Sequence, residues 1–350
     1  MPNLYKIEIF DREYRYISMG VMQNPPIQMD YLTLEATTIS VNKIQANKGD
    51  FAHITDFSGK VIYQGIIQDV YNTNSGVSIK ILPLLSLLDV QVQYDKIIFR
   101  QKPLEDVIEQ IIKETYITNS DKLQNIKGLI VKRLTRTQDT QLDIRSNVHA
   151  FWDIITKALT LYGIIIEMEL KPQEKQIVVS IAKKEEKIVL EAELENCIHR
   201  SFVTTDEYGT LNKVTFVNKD DPKEEKITYY LHPDGKIDTQ NTNRIVPVFF
   251  SAEYIQGAEN FEEEARNRAK EQLLPEKYQQ NIELGYLEGD RMIDSENIKI
   301  GILADIHYKD KIYQSIMTGY SNNNGVKILI FGCIRLELTK KLILERRKKV

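Results

Sequence analysis

The sequence has 350 residues, 42% apolar and 27% charged, with 16 glycines and 10 prolines, a composition that can bury real cores and excludes a disordered or collagen-like chain. Lys and Arg number 46 against 50 Asp and Glu, a net charge of −4, so no overall positive field is available to hold a polyanion and a dedicated DNA binder is disfavoured. No apolar run approaches the roughly 18 residues that cross a bilayer, and Lys6 and Glu8 stand where a signal peptide would carry its apolar core.

Length predicts two to three domains. From Leu4 to Phe99 the pattern alternates with period two, as in Tyr5, Ile7 and Ile9, in Leu32, Leu34 and Ala36, and around Ile62. It is punctuated by Asn24-Pro25-Pro26, Ser58-Gly59 and Asn74-Ser75-Gly76. Residues 1–99 are therefore expected to form a small antiparallel barrel or sandwich. After Pro103, Leu104, Val107, Ile108, Ile111 and Ile112 make one helical stripe. A second helix is expected from about Asn147 as N-cap, with Val148, Phe151, Trp152, Ile155, Leu159 and Tyr162 on its stripe and Gly163 as its stop. Trp152 thus reads as core, with His149 off the stripe. Strands Ile164–Leu170 and Ile177–Ala182 follow, so 100–195 reads as a compact α+β domain. Strands resume at Leu211–Val217 and Ile227–Leu231, the latter running into a His232-Pro233-Asp234-Gly235 turn. Phe261–Gln272 is helical, with Phe261, Ala265, Ala269 and Leu273 on one face and Pro275 closing it. From Asn281 the chain is strand-like again.

Two distant segments read as an internal repeat, the alternative being a chance match between alternating strands. Ala52-His53-Ile54, Ile62-Tyr63-Gln64 and Gly76-Val77 lie on Ala304-Asp305-Ile306, Ile312-Tyr313-Gln314 and Gly325-Val326 at offsets of 252, 250 and 249 residues. Each change of offset falls at a turn, where length varies at little cost in packing. Two like β units then bracket α/β insertions. Three chains would set six such units around an axis, matching a sixfold ring.

Chemistry is sparse. The five histidines, His53, His149, His199, His232 and His307, are never closer than 33 positions, so no local zinc site exists. There is no nucleophile elbow, P-loop or dinucleotide fingerprint, and Gly285 to Gly289 reads as a bend. Cys197 and Cys333 sit in apolar or mixed runs and read as reduced packing residues rather than nucleophiles. Glu262, Glu263 and Glu264 point to different helix faces, a solvated surface rather than a glycosidase pair. Arg346-Arg347-Lys348-Lys349 has three readings: a frayed tail over 341–350, contact with an acidic neighbouring subunit, or nucleic acid. No catalytic, cofactor-binding or metal-ligating residue is nominated, and the chain is not expected to be an enzyme.

The opening barrel with Gly65-Ile66-Ile67 leading to Ile79-Lys80-Ile81-Leu82, the unit Phe151-Trp152-Asp153-Ile154 to Tyr162-Gly163-Ile164, and the closing strands Ile298–Gly301 and Gly325–Leu338 together resemble the tail-hub family of bacteriophages. That family comprises baseplate hubs of contractile phages and the N-terminal part of the prophage tail protein, or tail-associated lysin. The resemblance implies an α+β, β-rich fold with two tail-tube-like antiparallel barrels bracketing α/β insertion domains. The first barrel would be 1–99 and the second would be split between 196–219 and 280–340, with Leu211–Lys219 pairing into Gln280–Gly332 around an inserted hairpin and helix at 220–279. It implies a homotrimeric tail-tip hub that adapts a sixfold tube to a threefold tip and opens for DNA. Its partners would be a tail-tube or distal tail ring protein, a tape-measure protein and receptor-binding tip proteins, with DNA only in transit and no membrane insertion. Such a protein is made in the bacterial cytoplasm and works at the virion tail tip. Many long-tailed relatives continue into a peptidase, a glycan hydrolase or a receptor-binding region whereas this sequence stops at Val350, and no hydrolytic activity is expected of it. A tail-associated hydrolase or peptidase and the hub of a contractile bacteriocin or secretion-type spike are the alternatives.

Overall fold

The computed structural model describes residues 4–74, 76–93, 102–137, 148–203, 211–233, 236–242, 248, 250–258, 260–273, 281–287, 290, 293, 298–323 and 325–332. Cys333, the Arg346–Lys349 cluster, Asn147, Asp234-Gly235, Pro275 and Gly289 lie outside them. The architecture is β-rich, as the alternation predicts.

The first segment supplies β1 (Leu4–Phe10), β2 (Tyr16–Gln23), β3 (Ile27–Asp30), β4 (Thr37–Val41), β5 (Phe51–Asp56), β6 (Val61–Thr73) and β7 (Gly76–Pro83). Six of these form one antiparallel sheet in the order β2-β1-β5-β6-β7-β4. Its buried face is a bed of β-branched residues, Ile7, Ile9, Ile39, Ile54, Ile67, Ile79 and Ile81, whose branching suits the pleated surface. β3 leaves this sheet. The expected alternation through Leu32, Leu34 and Ala36 is not a strand: the Asp30 carboxylate accepts the N–H groups of Leu32 and Thr33 at 2.9 and 3.2 Å, and this side-chain turn diverts the backbone.

A mixed α/β module follows. A 3-10 turn, Leu84–Leu88, leads to β8 (Gln91–Gln93), α1 (Leu104–Tyr116), β9 (Leu129–Arg133), β10 (Val148–Ala150), α2 (Phe151–Tyr162), β11 (Ile164–Lys171) and β12 (Gln176–Lys183). β11 and β12 are antiparallel and β9 joins β12 in parallel. The expected stripe of α1 is buried. The second helix starts later than expected: Val148 pairs with Gln93 in the β10–β8 ladder, and α2 begins when the Phe151 N–H bonds the Val90 carbonyl at 2.8 Å. It ends as expected, at Gly163 with φ 71°, where glycine carries no Cβ penalty.

The remaining elements are β13 (Lys187–Glu191), β14 (Cys197–Val203), β15 (Lys213–Asn218), β16 (Lys226–Leu231), β17 (Ile237–Asp238), β18 (Phe250–Ile255), α3 (Phe261–Leu273), β19 (Asn281–Leu287), β20 (Leu303–Tyr308), β21 (Lys311–Asn323) and β22 (Val326–Phe331). The expected pairing of Leu211–Lys219 with the last strands is corrected. β15 lies instead between β16 and β18, and Val214, Phe216, Tyr229 and Leu231 pack under Phe261, Ala265, Ala269 and Leu273 of α3. That apolar face is satisfied within its own small layer and has none left for another sheet. The last sheet runs β13-β20-β21-β22-β19-β14. β13, from the charged stretch expected to close the α+β domain, belongs here as a parallel neighbour of β20.

The two large sheets contain the same four strands. β4–β7 and β19–β22 share the order β5-β6-β7-β4 and β20-β21-β22-β19, and their registers match except at the hairpin end of β5, where a shift between Ile54 and Thr55 has no counterpart in β20–β21. Ile54 faces Tyr63 as Ile306 faces Tyr313, and Ala52 faces Gly65 as Ala304 faces Ser315. Both long strands carry a register shift at one equivalent place, between Ile67 and Asp69 and between Met317 and Gly319. Ahead of each, a glycine with positive φ, Gly49 at 88° and Gly301 at 90°, donates its N–H to Ile67 or Met317 at 2.8 Å. Tyr63 and Tyr313 both pack inward, each on its own core. The third offset shifts by one: Thr73 faces Gly76 and Asn323 faces Val326, so Gly76 matches Val326 rather than Gly325.

Candidate assembly seam

The segment Ile27–Leu34 joins three parts of the molecule. Its strand portion, β3, pairs antiparallel with β21 of the last sheet, Met29 facing Tyr320 and Asp30 facing Gly319. The Tyr31 N–H extends the ladder to the Thr318 carbonyl at 2.9 Å. Gly319 is needed for this approach, since a Cβ there would sit 2.7 Å from the Met29 carbonyl oxygen. The Tyr320 hydroxyl donates across the seam to the Ile62 carbonyl at 3.3 Å, while Lys327 lies over its ring, 5.3 Å from the centroid.

The turn then engages the α/β module. Tyr31 is 1% exposed, its hydroxyl accepts the Ile166 N–H at 3.0 Å, and its ring lies 5.3 Å from that of Trp152. The Trp152 indole N–H donates to the Leu32 carbonyl at 3.2 Å. Trp152 is core as expected, with Tyr31 and Leu32 among its surroundings. Gln64 adds a two-point link, donating to the Leu170 carbonyl at 2.8 Å and accepting the Leu170 N–H at 2.9 Å. Burial pushes the Tyr31 phenol well above its usual range and that of Tyr320 up to about 12, so both hydroxyls stay neutral hydrogen-bonding groups at any working pH. A cleft of about 760 Å³ opens at this junction, lined by Tyr31, Gln64, Ile166, Met168, Ile300 and Tyr320 among others.

The titratable residues weighed from sequence are dispersed. His53, His199, His232 and His307 stand beside Glu8, Glu283, Asp238 and Glu191 at 3.9, 3.3, 3.0 and 2.7 Å, at separate places. The side chain of His149 lies outside the described residues. Cys197 is buried, its thiol directed to the His199 carbonyl at 3.2 Å. Glu262 pairs with Arg266, and Glu264 with Arg268, along α3. Among the described residues no group of three or more His, Cys, Asp or Glu side chains is placed to hold a metal ion, and no helix is long and apolar enough to cross a membrane. The seam strand was missed in sequence because it reads like its neighbours; the Pro25-Pro26 break before it and the Asp30 turn after it are the signals that mark it out.

Comparison with solved structures places this arrangement. A chain of the phage P2 baseplate in its activated conformation aligns with a TM-score of 0.53 at 11% identity, over 93% of this chain and 98% of that one. The tail protein from Neisseria meningitidis MC58 aligns with a TM-score of 0.52 at 13% identity, over 94% and 96%. This protein has the fold of phage tail and baseplate proteins. The tail-protein fold extends to a chain of the Francisella PdpA-VgrG complex, with a TM-score of 0.52 at 10% identity over 96% of this chain and 59% of that one. No family model matches the sequence, and no curated protein matches it. At these identities the likeness shows the fold alone.

Proposed function

We propose that this protein is a structural hub at the tip of a phage or prophage tail, a homotrimer that closes the tail tube until ejection and then lets DNA pass. The observation that carries this reading is the four-strand duplication, β4–β7 repeated as β19–β22 in the same strand order with one shared bulge, inside a tail-protein fold. Each unit is read as the wall of a tail-tube-like barrel, with the α/β module and the β15–β18 layer under α3 as insertions between them. Three chains then present six similar units, which fits a sixfold tube to a threefold tip. The net charge of −4 suits a lumen that must not hold DNA. The partners would be the tube or distal ring, the tape-measure protein and the receptor-binding tip proteins, and hydrolysis at the tip would belong to another polypeptide. Immunogold labelling of induced tail particles with antibody to the purified chain tests this. Label confined to the tail tip is expected, and label along the tube or absent from tails contradicts it.

The likeness to the VgrG-containing complex favours one second reading, a hub in a secretion-type spike. The same antibody separates the two, since a spike component would be found in secreted material free of tail particles.

A further inference from the structure

We propose that the open edge of β6 at Asp69–Asn72 receives a strand from a second copy of this chain. The inference rests on the reading that copies close into a ring, and it names the seam by which they do so.

The duplication allows the two long strands to be compared residue by residue at an offset of 250. On the side away from β22, β21 is bonded first by β20, then at Met317 by Gly301 and Ile302, and then over Gly319–Asn322 by β3. β6 repeats the first two steps. It is bonded by β5, and then Ile67 accepts the Gly49 N–H and donates to the Asp50 carbonyl. The third step has no counterpart: among the described residues no strand pairs with Asp69–Asn72 on that side.

The direction of the peptide groups follows from the same equivalence. The Thr318 carbonyl takes the Tyr31 N–H, so by strand alternation Thr318, Tyr320 and Asn322 aim their backbone groups at β3. Their equivalents Gln68, Val70 and Asn72 aim theirs outward. Tyr71 and Asn72 are exposed. The bulge at Gln68 does not close the edge, because β3 pairs immediately beyond the matching bulge at Thr318. An unpaired row of N–H and C=O groups is a template for strand addition.

The occupant follows from the internal seam. Within one chain the first unit gives β3 to the second, and among the described residues no strand of the second is given back to the first. In a closed ring every unit stands to its predecessor as the second unit here stands to the first, so the edge of β6 meets the second unit of a neighbouring copy.

Hydrogen exchange on the full chain, measured alongside sedimentation over a concentration series, tests this, with Asn72→Pro as the variant. Proline there removes an N–H that the β6–β7 ladder does not use, a substitution that edge strands accept. Assembled wild-type protein should exchange the Val70 and Asn72 amides roughly tenfold more slowly than wild-type monomer, and Asn72→Pro should weaken assembly roughly tenfold or more while the melting temperature of the monomer, measured at low concentration, is unchanged. If the variant misfolds, wild-type exchange alone decides. Assembly with those amides still fast, a monomer in which they are already slow because the chain covers its own edge, a well-folded Asn72→Pro that assembles normally, or a chain monomeric at every concentration would each overturn the proposal. A trimer with fast edge amides removes this seam and leaves the hub reading standing, whereas a closed dimer with slow ones keeps the seam and removes the hub.

Discussion

Trp152 ties helix α2 to the turn after β3 through its ring contact with Tyr31 and its indole bond to the Leu32 carbonyl. Trp152→Ala should cost about 3 to 5 kcal/mol, the range for emptying a large aromatic site, read by chemical denaturation. Emission typical of a water-exposed indole in the folded wild type would contradict its burial. His53 gives a pH signature. Burial, set against the nearby Glu8 carboxylate, holds its imidazole below the usual value of 6.5, and its Nε2 has no hydrogen-bond partner. The unfolded chain therefore takes up the proton first, so the stability His53 contributes is present above about pH 6.5 and is lost as pH falls through the lower folded value. The melting temperature of wild type should fall between pH 7 and 5 more steeply than that of His53→Gln; equal slopes would show that His53 is not the group titrating.

At the scale of elements, the positive-φ glycines should act as a matched pair. Gly49→Ala and Gly301→Ala each place a Cβ where L-residues are strained, at φ 88° and 90°, and each should destabilise by about 1 to 2 kcal/mol. Gly319→Ala, with its Cβ 2.7 Å from the Met29 carbonyl, should instead loosen β3 from β21, seen as faster exchange of the Tyr31 amide than in wild type. Legibility in the sequence divides along the same line. Pairs such as Ile54 with Tyr63 and Ile306 with Tyr313 are set by local alternation and hairpin turns, so the repeat could be read and its register followed to within one residue. The destinations of β3, β13 and β15 could not, because a strand's alternation says which face is apolar and nothing about which sheet receives it. The seam was hidden for that reason, since it is made of a short strand, a turn and backbone bonds that any residues could form.

At the scale of the whole molecule, the hub reading gives the two duplicated units an architectural role. On that reading we predict no turnover when the purified chain is incubated with host-type peptidoglycan or cross-bridge peptides; hydrolysis abolished by a single carboxylate or cysteine substitution would instead support the tail-associated hydrolase reading. The central claim is that one chain supplies two equivalent units to a threefold ring. The most direct measurement is single-particle imaging of the assembled chain, alone or on its tail partner, viewed down its symmetry axis. Three chains presenting six similar lobes around a channel are predicted, and a closed twofold dimer without a channel would contradict the account.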